Sequence, residues 1–220
     1  MNVGILGTGT LAKALARAWS TTGHNVCITG RDMVKAGFIA REIGGAVEAV
    51  APADFAAQVD VVVVAIAWEG LAEALGLIGA PVGSLSGIPV IDCTNAVDYA
   101  TGELKPESGS AAELVASIAP NAHVVKALHL FAGTSWPYKG PPLSAPVVAV
   151  CGDEPSALQC ASTLITDLGA KPAKVGGLNS ARQLEEAAGF VMRVVMAGFN
   201  PRFAVPDVNP TAHSPEPAAR

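Results

Sequence analysis

The residues of this 220-residue chain that could do chemistry are few and widely separated. Asp92, Lys126 and His129 are the candidates for moving a proton, each near the carboxyl end of an apolar run. Reduction of a carbonyl or imine ordinarily needs a proton donor beside the atom that receives the hydride. The usual donors are absent. Tyr99 is followed one helical turn on by Glu103 and Tyr138 by Pro142, so no Tyr-x-x-x-Lys occurs, and the last helical stretch has no lysine. The cysteines Cys27, Cys93, Cys151 and Cys160 form no C-x-x-C and share no zinc spacing with histidine, so no metal is expected. They read as small buried hydrophobes of a reducing compartment.

Ligand-binding chemistry is better marked. In "GILGTGTLAKA", Gly7-x-Gly9-x-x-Ala12 follows an apolar run and opens a helical one. Gly7 permits a tight turn, Gly9 leaves room for a pyrophosphate, and Ala12 lets helix and strand pack closely. A helix start there offers free N–H groups and a partial positive charge to phosphates. A bound dinucleotide is expected. The second apolar run, "NVCIT", leads into Thr29-Gly30-Arg31, where folds that select NAD place an acid for the ribose 2′-hydroxyl. Arginine instead suits a 2′-phosphate, through two-pronged bonds worth about 1.5–3 kcal/mol each. NADP is therefore expected over NAD. Asp32 either weakens this preference or caps the helix that follows.

These residues need a scaffold. "NVGIL", "NVCIT", "AVEAV", "DVVVVAI", "IPVIDC" and "HVVKAL" read as strands, with helical stretches between them. Such alternation predicts an α/β fold with a doubly wound parallel sheet, order 3-2-1-4-5-6, over residues 1–130. Ser110 and Glu113 spell a capping box. Residues 131–199 read as a smaller C-terminal α/β unit behind a proline-rich loop from Phe131 to Pro146, and residues 200–220 as a loose Pro-rich tail. Cys93, Thr94 and Asn95, after the fifth strand, are expected to line the pocket. His129 is expected at a strand end, where open α/β sheets hold ligands. Arg182 and Glu185 read as a solvated ion pair, and His24, His123 and His213 as structural or exposed.

Composition narrows the partners. Half of the residues are hydrophobic and 15% charged, enough for a sizeable core. The net charge of -5, with no basic run, argues against nucleic acid. "VVVVAIA" is too short for a bilayer and no signal sequence opens the chain, so no membrane association and a cytoplasmic location are expected. The final helix carries Phe190, Val191, Val194 and Val195, an apolar face that suits a homodimer.

Taken together, "GTGTLAKALA", "GHNVCITGR", "AIAWEG", "VVKALH" and "GGLNSARQLE" give the chain a resemblance, over about residues 2 to 198, to the NADPH:F-420 oxidoreductases. These lie within a wider group of NADP-binding reductases. The resemblance implies hydride exchange between NADP and the deazaflavin coenzyme F-420 as co-substrate. It places Thr8, Thr10 and Leu11 at the phosphates, Thr29 and Arg31 at the 2′-phosphate, and Ile66, Ala67 and Trp68 near the nicotinamide. It puts His129 where the deazaflavin stacks, in a positioning role. The loop from Phe131 would close over that ring, with Trp136 or Tyr138 stacking on it. Some members carry a second basic residue after the second strand, where this chain has Asp32. Two alternatives stand beside this one: an NADPH-dependent reductase of an imine, quinone or ferric chelate, and a non-enzymatic NADP-binding sensor.

Overall fold

Short apolar runs and amphipathic runs alternate along the chain, and in the computed structural model each takes the expected element. Residues 1–206 and residue 208 are described. In chain order the elements are β1 (Asn2–Leu6), α1 (Thr10–Thr21), β2 (Asn25–Thr29), α2 (Met33–Ile43), β3 (Val47–Ala49), α3 (Pro52–Phe55), β4 (Val61–Val64) and α4 (Leu71–Leu77). There follow β5 (Pro89–Asp92), α5 (Ala111–Ile118), β6 (His123–Lys126), β7 (Val147–Gly152), α6 (Pro155–Asp167), β8 (Lys171–Gly176) and α7 (Ala181–Met196).

The strands form one eight-stranded sheet in the order β3-β2-β1-β4-β5-β6-β7-β8. The expected six-strand order is present, and β7 and β8 extend it. Among the described residues, the β6–β7 pairing is the only antiparallel one in this sheet. We propose the boundary near residue 130 on that reversal of strand direction. All four valines of β4 are buried because helices cover both faces of the sheet, which explains a strand with no polar alternation. On one face α1 buries Leu15, Ala16 and Trp19 against Val3 and Ile5, in the same apolar cluster as Leu164 and Ile165 of α6. The Trp19 indole N–H donates to the Leu164 carbonyl at 3.0 Å, so α6 is tied to the first helix. On the other face Leu71, Leu75, Val115 and Leu184 pack against Val62, Val64 and Val90.

Local signals hold in detail. Asp32 caps α2 by accepting from the Lys35 N–H at 2.9 Å. The Ser110 hydroxyl oxygen accepts from the Glu113 N–H at 3.1 Å and its O–H donates to the Glu113 carboxylate at 2.9 Å. β5 and β6 end earlier than their apolar runs, at Asp92 and Lys126, although the Cys93 and Ala127 N–H groups still bond to the neighbouring strands. Cys27, Cys93 and Cys151 are buried and Cys160 half-buried, all as free thiols. Among the described residues no helix is long and apolar enough to cross a membrane. Most of the Pro-rich tail, and His213 with it, lies outside the described residues.

Candidate functional site

The carboxyl ends of β1, β2, β4, β5 and β6 open into a cleft of about 890 Å³. It lies where the chain order reverses between β1 and β4, the usual ligand crevice of a doubly wound sheet.

The floor of one end is the turn from β1 into α1. Gly7 has φ of 139°, and a side chain there would put Cβ 2.3 Å from the Ala65 carbonyl oxygen. Its N–H donates to the Thr29 carbonyl at 2.9 Å, which fixes the turn. Gly9 differs: a Cβ on it would meet no protein atom within 4 Å. Glycine at that position keeps space clear for a ligand rather than relieving crowding in the protein. Gly9 also caps α1 with no side-chain hydrogen bond, and no acid sits in the first turn. Bare N–H groups beside an open cradle suit a pyrophosphate, so the residues present fit a dinucleotide. Thr8, Thr10 and Leu11 line the same floor.

Beyond β2, Gly30 and Arg31 line the rim. The Arg31 guanidinium is largely exposed and pairs with Glu73 of α4 at 3.1 Å. Lys35, in the first turn of α2, lines the same end of the cleft. Arg31 and Lys35 thus bring two cations to the rim beyond β2. Sequence reasoning missed Lys35, although its place in the first turn of the helix that Asp32 caps, just after Arg31, would have found it.

At the other end Ile66, Ala67 and Trp68 form the turn after β4, Cys93 and Asn95 follow β5, and His129, Leu130 and Phe131 follow β6. Leu128 has φ of 63°, an uncommon conformation for a non-glycine residue, and turns the chain immediately ahead of His129. His129 is 5% exposed, and its Nε2 lies 2.9 Å from the Leu184 carbonyl of α7. A carbonyl only accepts, so Nε2 carries the proton. Burial, reinforced by the nearby Lys126 charge, pulls the imidazole down to about 4, and the ring is neutral at physiological pH. The Asn95 side-chain amide donates to the His129 carbonyl at 2.6 Å.

Beneath this wall lies a fully buried ion cluster. The Lys126 ammonium is 2.8 Å from Asp92 and 2.8 Å from Glu185, and also donates to the Thr94 carbonyl. Burial alone would lower the lysine, but the two carboxylates outweigh it and hold it above its ordinary value. Asp92 accepts from the Thr94 N–H at 2.9 Å. Glu185 accepts from the Ala111 and Ala112 N–H groups at 2.9 and 3.3 Å, closing the N-terminus of α5.

Several expectations need correction. Thr29 is fully buried, its hydroxyl turned to the Met33 sulfur, so its carbonyl shapes the loop while its side chain faces away from the cleft. Thr94 is likewise fully buried and acts through its backbone. Arg182 and Glu185 are not a pair. Arg182 bonds Glu186 and the Gly109 carbonyl, while Glu185 turns inward to Lys126. Trp136 is buried against Phe131, with ring centroids 5.0 Å apart, and the Tyr138 hydroxyl donates to the Pro141 carbonyl. The aromatic residues lining this end are Trp68, Tyr99 and Phe131. Leu178 and Arg182 stand outside the cleft, whereas Gly7, Thr8, Gly9, Thr10, Leu11, Gly30, Arg31, Ile66, Ala67, Trp68, Asn95 and His129 come together in it.

Residues 2–96 match the family described as NADP oxidoreductase, coenzyme F420-dependent. A crystal structure from Arthrobacter sp. FB24, of a candidate F420-dependent NADP-reductase, superposes with a TM-score of 0.78 at 28% identity. That match covers 90% of this chain and 95% of the other. The hypothetical protein SMa0349 of Sinorhizobium meliloti follows with a TM-score of 0.69 at 26% identity, over 82% and 88% of the two chains. Metalloreductase STEAP3 of Rattus norvegicus is 28% identical over 188 residues, 83% of this chain. The present chain spans 35% of that protein's length.

Proposed function

We propose that this protein is an NADP-dependent oxidoreductase that exchanges hydride with coenzyme F-420. The observation that carries the reading is that, among the described residues, none of His129, Lys126 and Tyr99 is a buried donor with a proton free for a substrate. The single N–H of neutral His129 is engaged by Leu184, Lys126 is fully buried among its three oxygen partners, and Tyr99 sits at the exposed rim. Transfer between two stacked rings asks less of the protein than carbonyl reduction does. It must hold both rings in register and exclude water, and a deazaflavin nitrogen can take its proton from solvent.

Bound NADPH supplies the hydride. Gly7, Gly9 and the start of α1 would hold the pyrophosphate, with Thr8, Thr10 and Leu11 around it. Arg31 and Lys35 would take the 2′-phosphate, Arg31 leaving Glu73 to do so. Ile66, Ala67 and Trp68 would form the nicotinamide wall, with Asn95, His129 and Phe131 facing the second ring. The half-exposed Phe190, Val195 and Met196 of α7 support a homodimer as part of this reading.

The test is to mix purified protein with reduced F-420 and NADP and follow the deazaflavin absorbance. Steady recovery of the oxidised spectrum is expected. No change, in protein shown to bind NADP, would discard F-420 as the partner. The similarity to STEAP3 over most of this chain supports a second reading, reduction of a ferric chelate by NADPH. In that case NADPH would be consumed with the chelate and not with F-420.

A further inference from the structure

The segment between β5 and α5 folds back on itself before it reaches the helix. Ala96 to Lys105 form a small hairpin. Val97 and Leu104 pair across it as an antiparallel bridge, the Lys105 N–H donates to the Ala96 carbonyl at 2.7 Å, and the Asp98 N–H donates to the Glu103 carbonyl at 2.7 Å. Asp98 closes the tip, its carboxylate accepting from the Ala100 N–H and its carbonyl from the Gly102 N–H, each at 2.7 Å. The reversal needs a residue at positive φ, and Gly102 supplies it at 73°. Val97 and Tyr99 of the hairpin line the cleft at the end that holds Trp68 and Phe131. A lone two-stranded hairpin has little stability of its own, so what holds this one decides where Tyr99 stands.

Two contacts hold it. At the base the Lys105 ammonium pairs with Glu69, in the turn after β4. Glu69 is largely exposed, so this pair contributes at most about 1 kcal/mol. At the tip the hold is one of shape. Gly102 meets Gly189 of α7 backbone to backbone: a Cβ on Gly189 would overlap the Gly102 carbonyl oxygen, and a Cβ on Gly102 would lie 2.6 Å from Cγ of Arg193. Arg193, one helical turn beyond Gly189, donates from Nε to the Thr101 carbonyl at 3.1 Å and sets its guanidinium 3.3 Å from Glu103. Glycine inside a 16-residue helix costs about 1 kcal/mol relative to alanine. The close approach of the hairpin is what that glycine permits. The last helix therefore reaches the mouth of the cleft through ten residues that are closed by their own hydrogen bonds and move as a unit.

We propose that Gly189 and Arg193 of α7 are positioning residues for the mouth of the cleft: they seat the hairpin of residues 96–105 and so fix Tyr99 at the width that the second hydride partner must pass. They select among such partners by size without touching them. Moving the tip outward, as a side chain at Gly189 would, swings Tyr99 with it and leaves the phosphate end alone. What passes the mouth rests on the oxidoreductase reading, whereas what holds the mouth rests on the packing.

The experiment is NMR of the full-length protein with carbon-13 in its tyrosine rings. The chain has two tyrosines, so Tyr99 and Tyr138 give separate signals. Tyr138, whose hydroxyl is bonded within its own loop, is the internal reference. In Gly189→Ala and in Arg193→Ala the Tyr99 signals should shift or broaden while those of Tyr138 stay, and NADP should bind as it does to wild type. Gly189→Ala favours the helix, and Arg193→Ala alters a half-exposed side chain, so one variant keeps the test open should the other fail to fold. Tyr99 signals unmoved in both variants overturn the proposal. Loss of NADP affinity, or movement of both tyrosines, overturns it as well, since the helix would then support the whole fold. With F-420 as second partner, the variants should raise its KM by about fivefold or more and retain kcat, the mark of lost uniform binding. A fall in kcat at unchanged KM also overturns the proposal. Absence of F-420 turnover in the wild type would instead discard the F-420 reading, while the Tyr99 signals still decide this one.

Discussion

At the phosphate end of the cleft the groups that would face a ligand are exposed cations and bare backbone N–H groups. At the other end they are mostly neutral, and His129 among them is buried and fixed by contacts that run behind the wall to α7. On the proposed function the difference follows from what each end must recognise. A phosphate is charged wherever it meets the protein, so mobile cations at the rim suffice, and their pairing with one another's acids costs little. Two rings that exchange a hydride must be held to a fraction of an ångström. Rigidity of that order comes from buried ion pairs and hydrogen bonds that hold the wall from behind. Arg31–Glu73 and Lys126–Glu185 illustrate the contrast: similar ions at similar distances, one pair largely exposed and the other with no exposure. Removing a member of the first should alter binding, and removing a member of the second should alter the fold.

The largest effect is expected from Lys126→Met. It leaves Asp92 and Glu185 as buried carboxylates without a cation, a change that typically costs about 3–5 kcal/mol. Urea unfolding should show this loss, while the folded fraction binds NADP as wild type does. If NADP affinity falls in proportion to stability, the two ends are not independent. Next comes Arg31→Ala, which should weaken NADP by about tenfold to hundredfold, or about 1.5–3 kcal/mol, and leave NAD nearly unchanged. Calorimetric titration with both nucleotides reads the difference, and equal losses would remove the 2′-phosphate from Arg31. The smallest effect belongs to Glu73→Gln. An exposed pair contributes at most about 1 kcal/mol, so freeing Arg31 should tighten NADP by no more than about fivefold. NAD should not respond, and unfolding should be unaltered. A marked loss of stability in Glu73→Gln would show that the phosphate rim is also structural.

The two ends also differed in how legible they were. The phosphate end is made of neighbours in sequence. Gly7, Gly9 and Ala12 state the turn, and Asp32 states the cap, because local backbone conformation decides both. Strand order could be read as well, since parallel strands with short connections leave few topologies open. The hydride end is assembled from β5, β6 and α7, which meet only in the folded sheet. Nothing near Lys126 in sequence announces Asp92 or Glu185 as its partners, and Glu185 looks like half of a helical surface pair with Arg182. Trp136 and Tyr138 looked like stacking residues because they are aromatic and lie in a long loop. Which aromatic turns inward depends on packing, and the core claimed Trp136 while Phe131 remained at the cleft.

The capping of α5 by Glu185 has a consequence for recombining this chain with its relatives. A crossover placed after β6 would sever the carboxylate on α7 from the helix start and the lysine that it serves. Exchange of the cofactor-binding portion between homologues should therefore succeed only where the incoming partner brings its own acid at the position of Glu185. The region after residue 130 is a boundary in strand direction without being a seam along which the protein can be cut and rejoined.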